Sequence, residues 1–473
     1  MSLKPFLQWL AEHGVSLREG LSIVESPKGE ISVWLNSEDP VLHPETIASI
    51  PKSSILSART CAIAQNIAWA PVKGTESKWH TYLQSLPSTP VPIARLWGDP
   101  YAFPDDADSQ EATRWIYGTE IQKELQDEDG SPLMDEAHAF YKADVQPLLD
   151  SLGFDPTMHG FLHAYSLVCS RAFLVDAYHG LSMVPVADAE DVSMHPPASI
   201  APQTDFSDTV DMVTVRSIPP QSEVFNTYGA DLGNAALLAR YGFALEGGET
   251  DVVTFGWSGS GIVLDNDQDQ EVFRTVYKQA LEVVGDMVHQ SVLIYAPKEE
   301  NHNARPFTVN SDGQTSLGLF VWAVWNALNE RPPPKFDDMD EAEVLTSSLC
   351  YLPRIVQALV QLEAIREETA EAQEIEIADD MACQLLEEAA EALASLCRAR
   401  ASAMGKKGYR GVSSGVLGDI LDNLPPDYKK TRLALEYLLS ERALLEACAA
   451  GWEEIRDYLS GESVADDDSD MDE

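Results

Sequence analysis

The sequence predicts an α+β fold, with a β-rich first half that is followed by an all-α second half. In the first half, short apolar runs such as residues 21–24 and 31–34 are bounded by Pro-Lys-Gly and Glu-Asp-Pro breaks. This pattern is typical of small β-hairpins. From about Gln270, apolar residues recur at three- and four-residue steps, the spacing of one face of an amphipathic helix. At 473 residues the chain is too long for one ordinary core, so we expect two or three domains.

Acidic residues dominate the charged composition. The chain has 32 Lys and Arg against 77 Asp and Glu, which gives a formal net charge of −45. Such a surface repels nucleic acid, so the sequence disfavours direct DNA or RNA binding and favours basic partners such as ribosomal proteins or histone tails. Solubility alone explains the same charge equally well.

Cysteine spacing and hydropathy indicate the compartment. None of the 6 cysteines forms a Cys-x-x-Cys pair, so we expect neither a zinc site nor a disulfide framework. This usage fits a reducing, intracellular environment, in the nucleus or the cytoplasm. No stretch approaches the length of a membrane span, and residues 1–14 are too interrupted by charge for a signal peptide. We expect a monomer with no membrane partner.

Hydrophobic spacing predicts the elements in chain order. Phe6, Trp9 and Leu10 share one face of a helix over residues 5–13, and Gly14 ends it.

Further along, residues 61–152 are largely helical, and the β-branched run 210–215 predicts a strand. In the second half the candidate helices are 270–295, 315–330, 340–370, 375–403 and 428–459.

At residues 223–243, a turn is followed by a short helix with a clear start and end. Tyr228 belongs to an Asn-Thr-Tyr-Gly turn, and a short helix is predicted to begin at Asn234 as its N-cap and to end at Gly242. Tyr228 and Tyr241 are thereby held at opposite ends of the element. Each tyrosine alone could simply pack its ring in the core.

Several phrases, taken together, resemble a known family. YG…N..LL..YGF at residues 228–243, SRAF at 170–173 and MVPVAD at 183–188 resemble motifs of SET-domain lysine methyltransferases. The resemblance is to the branch that modifies the Rubisco large subunit and ribosomal proteins, where IPK…LS, here at 50–57, also occurs.

The resemblance implies a domain order. A SET domain with a helical insertion and a C-terminal pseudoknot would precede a helical domain similar to the Rubisco-substrate-binding domain. Independently of the resemblance, the acidic composition of the last residues predicts a disordered tail. The expected boundaries are 1–260 for the SET domain, about 61–160 for its insertion, 265–460 for the helical domain and 461–473 for the tail.

The resemblance also implies the site residues. Tyr241 would carry the catalytic hydroxyl, Tyr228 would line the methyl-transfer channel, and no metal would be needed. The implied cofactor is S-adenosylmethionine, and the residues expected to hold it are Lys28, Gly29, Arg171, Asp188, Asp191, Gly242 and Phe243.

Two cofactor motifs depart from the family pattern. The second glycine of the Gly-x-Gly turn is replaced by Ile31, and Asp191 and Val192 stand where the family has Asn-His. An Asp keeps a hydrogen-bond acceptor but lacks the amide donor. For Arg171, an internal salt bridge to Asp188 is as good an explanation as a cofactor contact.

The function that these residues favour is S-adenosylmethionine-dependent N-methylation of lysine in a ribosomal or other basic, histone-like protein. An alternative is a degenerate SET protein that binds a protein partner without methyl transfer. A third interpretation, an acidic chaperone for basic proteins, rests on charge alone.

A basic stretch, residues 406–410, contrasts with this acidic background. Neutralising a neighbouring helix is a sufficient explanation for it at the level of the sequence.

Overall fold

The chain passes between two compact units three times. The first unit comprises Met1–Thr113 and Glu124–Gly247, and the second comprises Arg114–Lys123 and Gly248–Glu473. Residues 114–123, which the sequence placed in the insertion of the first domain, therefore group with the second unit. The computed structural model describes residues 3–25, 31–63, 77–127, 129–187, 200–203, 207–226, 232–256, 267–296, 307–330, 349–366 and 380–461.

Short strands build the first unit. They are β1 (Ser16–Leu17), β2 (Leu21–Glu25), β3 (Ile31–Leu35), β4 (Thr46–Pro51), β5 (Leu56–Ser57), β6 (Ala172–Leu174), β7 (Leu181–Met183), β8 (Ile200–Gln203), β9 (Thr209–Thr214) and β10 (Ser222–Glu223). Within the described residues they form three antiparallel sheets, in the orders β1-β4-β9-β8, β10-β3-β2 and β5-β7-β6.

The predicted hairpin and strand of this unit are confirmed. In the hairpin, Leu21 pairs with Leu35 and Glu25 with Ile31. Strand β9 buries alternate residues, as expected of a strand with one face on the core.

The helices of the first half are short. Before residue 248 they are α1 (Leu3–Glu12), α2 (Ala58–Ile63), α3 (His80–Ser85), α4 (Ala107–Trp115), α5 (Glu120–Glu124), α6 (Leu133–Phe140), α7 (Gln146–Ser151), α8 (Met158–Arg171) and α9 (Asn234–Arg240), with a π-helical turn at Tyr141–Val145 between α6 and α7.

The N-terminal helix is anchored by aromatic rings, as its spacing predicts. Phe6, Trp9 and Leu10 are buried. The ring of Phe6 stacks on that of Tyr82 with 6.5 Å between centroids, and Trp9 stacks on the same tyrosine at 5.9 Å. Burial of these large rings gives α1 most of its stability, because a ten-residue helix is marginal on its own.

Longer helices dominate the second unit. They are α10 (Asp267–Val288), α11 (Leu317–Glu330), α12 (Leu352–Arg366), α13 (Asp380–Ala403), α14 (Ser414–Asp422) and α15 (Lys429–Ser460). The sequence predicted these regions as helical, apart from α14, which it missed.

The second unit is predominantly helical, as expected, and it also contains a small sheet. The sheet has the order β11-β13-β14-β12, with β12 and β14 parallel. Each strand is 2 residues long. The sequence indicates the first of them, in the strand-like run 252–255, whereas the other three are too short for a period-2 pattern. The strands are β11 (Val253–Thr254), β12 (Ile294–Tyr295), β13 (Thr308–Val309) and β14 (Thr315–Ser316).

A buried ion network lies at the centre of the second unit. The guanidinium of Arg400 donates to Glu120 at 2.8 Å and to Glu441 at 2.9 Å, and all three residues are at most 5% exposed. It also donates to the carbonyl oxygen of Thr254. The Nζ of Lys123 lies 3.0 Å from Glu120 and brings the network to two cations and two carboxylates. Removal of one member would leave a buried charge uncompensated, which typically costs about 3–5 kcal/mol.

No helix in the described ranges combines the length and apolar character needed to cross a membrane.

The network predicts an unusual pH dependence of stability. Burial raises the pKa of Glu441 from 4.5 to about 7. Between these values the folded state binds more protons than the unfolded state, so this group's contribution to stability falls as the pH rises from about 4.5 to about 7. Urea unfolding of wild type and Glu441→Gln across this range should show that the variant lacks this decline.

Glu436→Gln is the matched control, since Glu436 is exposed on the same helix. If the slope of stability against pH is the same in wild type and Glu441→Gln, Glu441 does not titrate in this window.

Candidate functional site

The short helix α9 positions Tyr241. Gly233 occupies the N-cap position with extended dihedral angles, and the amides of Tyr241 and Gly242 both donate to the carbonyl of Leu237, at 2.8 and 3.0 Å. Gly242 has φ +84°, so it ends the helix in the left-handed conformation, as the sequence predicts.

Asn234 is not the N-cap that the sequence predicted. It is the first residue of the helix, and its buried side chain bonds to the backbone on the far side of the motif. Its Oδ1 accepts from the amide of Leu245 at 2.6 Å, and its Nδ2 donates to the carbonyl of the same residue at 3.0 Å. This pair of hydrogen bonds holds the irregular segment that follows Gly242 against the start of α9.

A close backbone approach fixes the end of the same helix. A Cβ at Gly242 would lie 3.0 Å from the carbonyl oxygen of Pro92 and 3.2 Å from the amide nitrogen of Ile93. The glycine is therefore required twice, by its positive φ and by the space that the neighbouring backbone leaves.

Tyr241 is half-buried beside a second aromatic ring. Its centroid lies 6.2 Å from that of Phe243 in a tilted arrangement. Burial raises the pKa of Tyr241, and the positive charges of Arg240 and Arg95 partly oppose this. The phenol therefore stays protonated at neutral pH and can both donate and accept a hydrogen bond.

Sequence reasoning missed a polar group that borders Tyr241. Tyr165 and Cys169 lie one turn apart on α8, close enough to influence each other's pKa, and the positive charge of Arg95 acts on both. Burial raises the pKa of the tyrosine and of the thiol, so both are neutral. The Nε of Arg95 is buried without a hydrogen-bond partner among the described residues. Only proximity in the fold identifies this group, because its members are dispersed through the sequence.

Arg171 ends α8, and most of its donors have no acceptor among the described residues. Its Nη1 donates to the hydroxyl of Ser170 at 2.8 Å, and that hydroxyl in turn donates to the carbonyl of Ser166. In the described part of the chain no carboxylate pairs with Arg171. The remaining N–H groups have the fork geometry that suits a carboxylate.

A salt bridge holds the loop that joins the SRAF and MVPVAD segments. The Nζ of Lys52, from the IPK phrase, lies 2.8 Å from Oδ2 of Asp176. The Oδ1 atom accepts from the backbone amides of Tyr178 and His179. The Lys52 ammonium and the backbone amide of His179 hold the pKa of Asp176 well below its usual range. This charged anchor orders the turn between β6 and β7.

Five of the predicted site residues lie outside the described ranges and stay predictions, as does the pseudoknot expected around them. The side-chain Nδ2 of Asn226 donates to the carbonyl of Ala187 at 3.2 Å, so these two residues, each the last of a described range, lie side by side. The five residues are Lys28, Gly29, Asp188, Asp191 and Tyr228. The described residues contain no group of three or more candidate metal ligands.

The approach of Gly242 to the Pro92 carbonyl predicts a specific loss of stability. A residue with a Cβ at a positive φ costs about 1–2 kcal/mol. Gly242→Ala adds a clash with the backbone of Pro92 and Ile93, so it should destabilise the first unit by more than the φ cost alone. Gly247→Ala is the control, because Gly247 has φ +88° with no atom within 4 Å of the added Cβ. Equal urea midpoints for the two variants would contradict the steric argument.

The chain is similar to one curated protein and to several solved structures. No family model matches the sequence. The "Uncharacterized protein C16C6.01c" of Schizosaccharomyces pombe is 25% identical over 291 residues, which cover 51% of this chain and 55% of that protein. The aligned region thus spans about half the length of this curated relative.

Solved structures match over nearly the whole chain. A structure of Rubisco LSMT bound to AdoMet matches with a TM-score of 0.60 and 12% identity, over 98% of this chain and 94% of that one. The SET domain of LSMT bound to lysine and AdoHcy matches with a TM-score of 0.59 and 13% identity, over 97% and 92%. The chain therefore has the SET-domain methyltransferase fold that its motifs predicted.

Proposed function

We propose that the chain is an S-adenosylmethionine-dependent protein-lysine N-methyltransferase. The observation that carries this proposal is a structural likeness that extends over 97–98% of the chain to proteins described as bound to AdoMet, or to AdoHcy and lysine. Retention of the YGF tyrosine at the end of a tightly fixed helix supports the same activity.

The described residues fit the cofactor that this activity needs. One N–H of Arg171 bonds to Ser170, and its remaining donors, which have no acceptor among the described residues, suit the cofactor's carboxylate. The half-buried rings of Tyr241 and Phe243 present aromatic faces, which attract a sulfonium cation. When bound, S-adenosylmethionine would supply an electrophilic methyl group.

Tyr241 has the chemistry to prepare the target amine. A free lysine has a pKa of about 10.4, and its ammonium form has no lone pair for attack. A partly desolvated, aromatic-lined site disfavours the ammonium form and so lowers that pKa. The protonated hydroxyl of Tyr241 can orient the neutral amine, because burial keeps its own pKa raised. Alignment supplies most of the rate in such a transfer.

The proposed substrate class is a basic protein, ribosomal or histone-like, inside the cell. The net charge of −45 supports this choice, because it raises the local concentration of a positively charged partner.

Calorimetric titration of the purified chain with S-adenosylmethionine tests cofactor binding directly. We expect binding in the micromolar range, equivalent to about −8 kcal/mol. A folded sample that takes up no cofactor would contradict the proposal and favour the alternative in which the chain binds a protein partner without methyl transfer.

Tyr241→Phe tests the catalytic hydroxyl. The variant should lose methyl transfer to a basic-protein fraction of cell lysate, followed with radiolabelled cofactor, while its cofactor affinity changes little. Tyr101→Phe is the matched control, since Tyr101 is an exposed tyrosine of the same unit. Unchanged turnover in Tyr241→Phe would remove Tyr241 from the mechanism.

Asp191→Asn tests the altered Asn-His motif. If Asp191 holds the position that the family pattern gives to asparagine, the substitution restores an amide donor, and calorimetry should show tighter cofactor binding. Weaker or unaltered binding would count against that alignment.

A further inference from the structure

An exposed basic and aromatic surface lies in the second unit, outside the candidate site. It is formed by the loop between α13 and α14 together with part of the 114–123 segment. We call it the basic–aromatic patch. Its exposed members are Tyr117, Lys407, Tyr409 and Arg410; Lys406 is half-buried, and the buried ring of Trp115 packs against Tyr409.

The patch has a fixed shape. The amide of Gly405 donates to the carbonyl of Tyr117 at 2.8 Å, which attaches the loop to the 114–123 segment. The rings of Trp115 and Tyr409 lie 5.3 Å apart, and the Nζ of Lys406 lies within 6 Å of both centroids. Tyr409 is 38% exposed and Tyr117 is 46% exposed, so these rings face solvent as well as the cations.

The side chain of Arg410 is fixed in an orientation that suits anion binding. Its guanidinium stacks on the ring of Tyr117 at 3.8 Å, and its Nε donates to the carbonyl of Gly405 at 3.1 Å. The two terminal nitrogens have no acceptor among the described residues, and the side chain is exposed, so both are accessible to a ligand. A stacked, tethered guanidinium loses little further entropy on binding, and its fork matches a carboxylate.

Neutralisation of a neighbouring helix does not account for these charges. Neither Lys407 nor Arg410 forms an ion pair with any carboxylate in the part of the chain that the structure describes. In a chain with a net charge of −45, two cations without acidic partners at an exposed position are a marked departure from the surrounding charge.

We propose that the basic–aromatic patch is a docking site for an acidic peptide segment of a partner protein. Asp or Glu side chains of the segment would bind the Arg410 fork and Lys407, and its aliphatic or aromatic side chains would lie on Tyr117 and Tyr409. A nucleic acid fits less well, because its affinity comes from many phosphate contacts and this patch offers few cations. The site does not depend on methyl transfer.

Fluorescence anisotropy with a labelled deca-glutamate peptide and the full chain tests this proposal. We expect saturable binding that weakens as salt is added, and no binding of the matched deca-glutamine peptide. Arg410→Gln should weaken binding about tenfold or more, since it removes charge-assisted hydrogen bonds. Arg410→Lys, which keeps the charge but loses the fork, should give an intermediate loss.

Lys429→Gln is the matched control, because Lys429 is an exposed lysine of the same unit outside the patch. Its affinity should equal that of wild type. Circular dichroism and melting temperature establish that each variant is folded.

Three outcomes would overturn the proposal. The first is an Arg410→Gln affinity equal to that of wild type, or no saturable binding at all. The second is a labelled oligothymidine that binds more tightly than deca-glutamate with the same dependence on Arg410, which would assign the patch to nucleic acid. The third is peptide binding that appears only when Asp466, Asp467 and Asp468 are replaced by Asn, which would make the chain's own acidic segment the occupant.

Discussion

The charge balance around Arg400 is the constraint on which the second unit depends. Arg400 is 5% exposed, and the cost of burying its charge is offset because two carboxylates and a backbone carbonyl accept hydrogen bonds from its guanidinium. One of these carboxylates, Glu120, also accepts from the backbone amide of Thr254 at 2.9 Å. The network therefore specifies where the 114–123 segment and strand β11 lie against the two long helices that contribute Arg400 and Glu441.

A different kind of constraint governs the first unit, where neutral hydrogen bonds and steric fit position the candidate catalytic tyrosine. The hydrogen bonds of Asn234 to Leu245 fix the chain after Tyr241, and the Gly242 contact with Pro92 fixes it from the other side. The Tyr165–Cys169–Arg95 group then supplies a polar border of neutral side chains and one cation. Such a border suits a reaction in which the acceptor must be an uncharged amine.

Hydrophobic periodicity predicted the elements that bury one face, such as α1, β9 and the long helices. In each of them the apolar residues recur along the sequence with the period of a helix or a strand. It failed for β12, β13 and β14 of the second unit, because a two-residue strand is too short to show a period. The motif phrases predicted the fold and put Tyr241 beside Gly242 and Phe243. They could not reveal that Asn234 bonds Leu245, or that Arg95 reaches Cys169, because these contacts depend on how the chain returns in three dimensions.

The position of Glu120 has a consequence for the order of folding during synthesis. Its backbone amide donates to Glu441, a partner 321 residues later in the chain. A ribosome that makes the chain from its N-terminus would release the 114–123 segment long before α15 exists. Until then Glu120 must stay hydrated. The first unit can collapse early, whereas a fragment that begins at residue 248 would carry Arg400 with one of its two carboxylates missing.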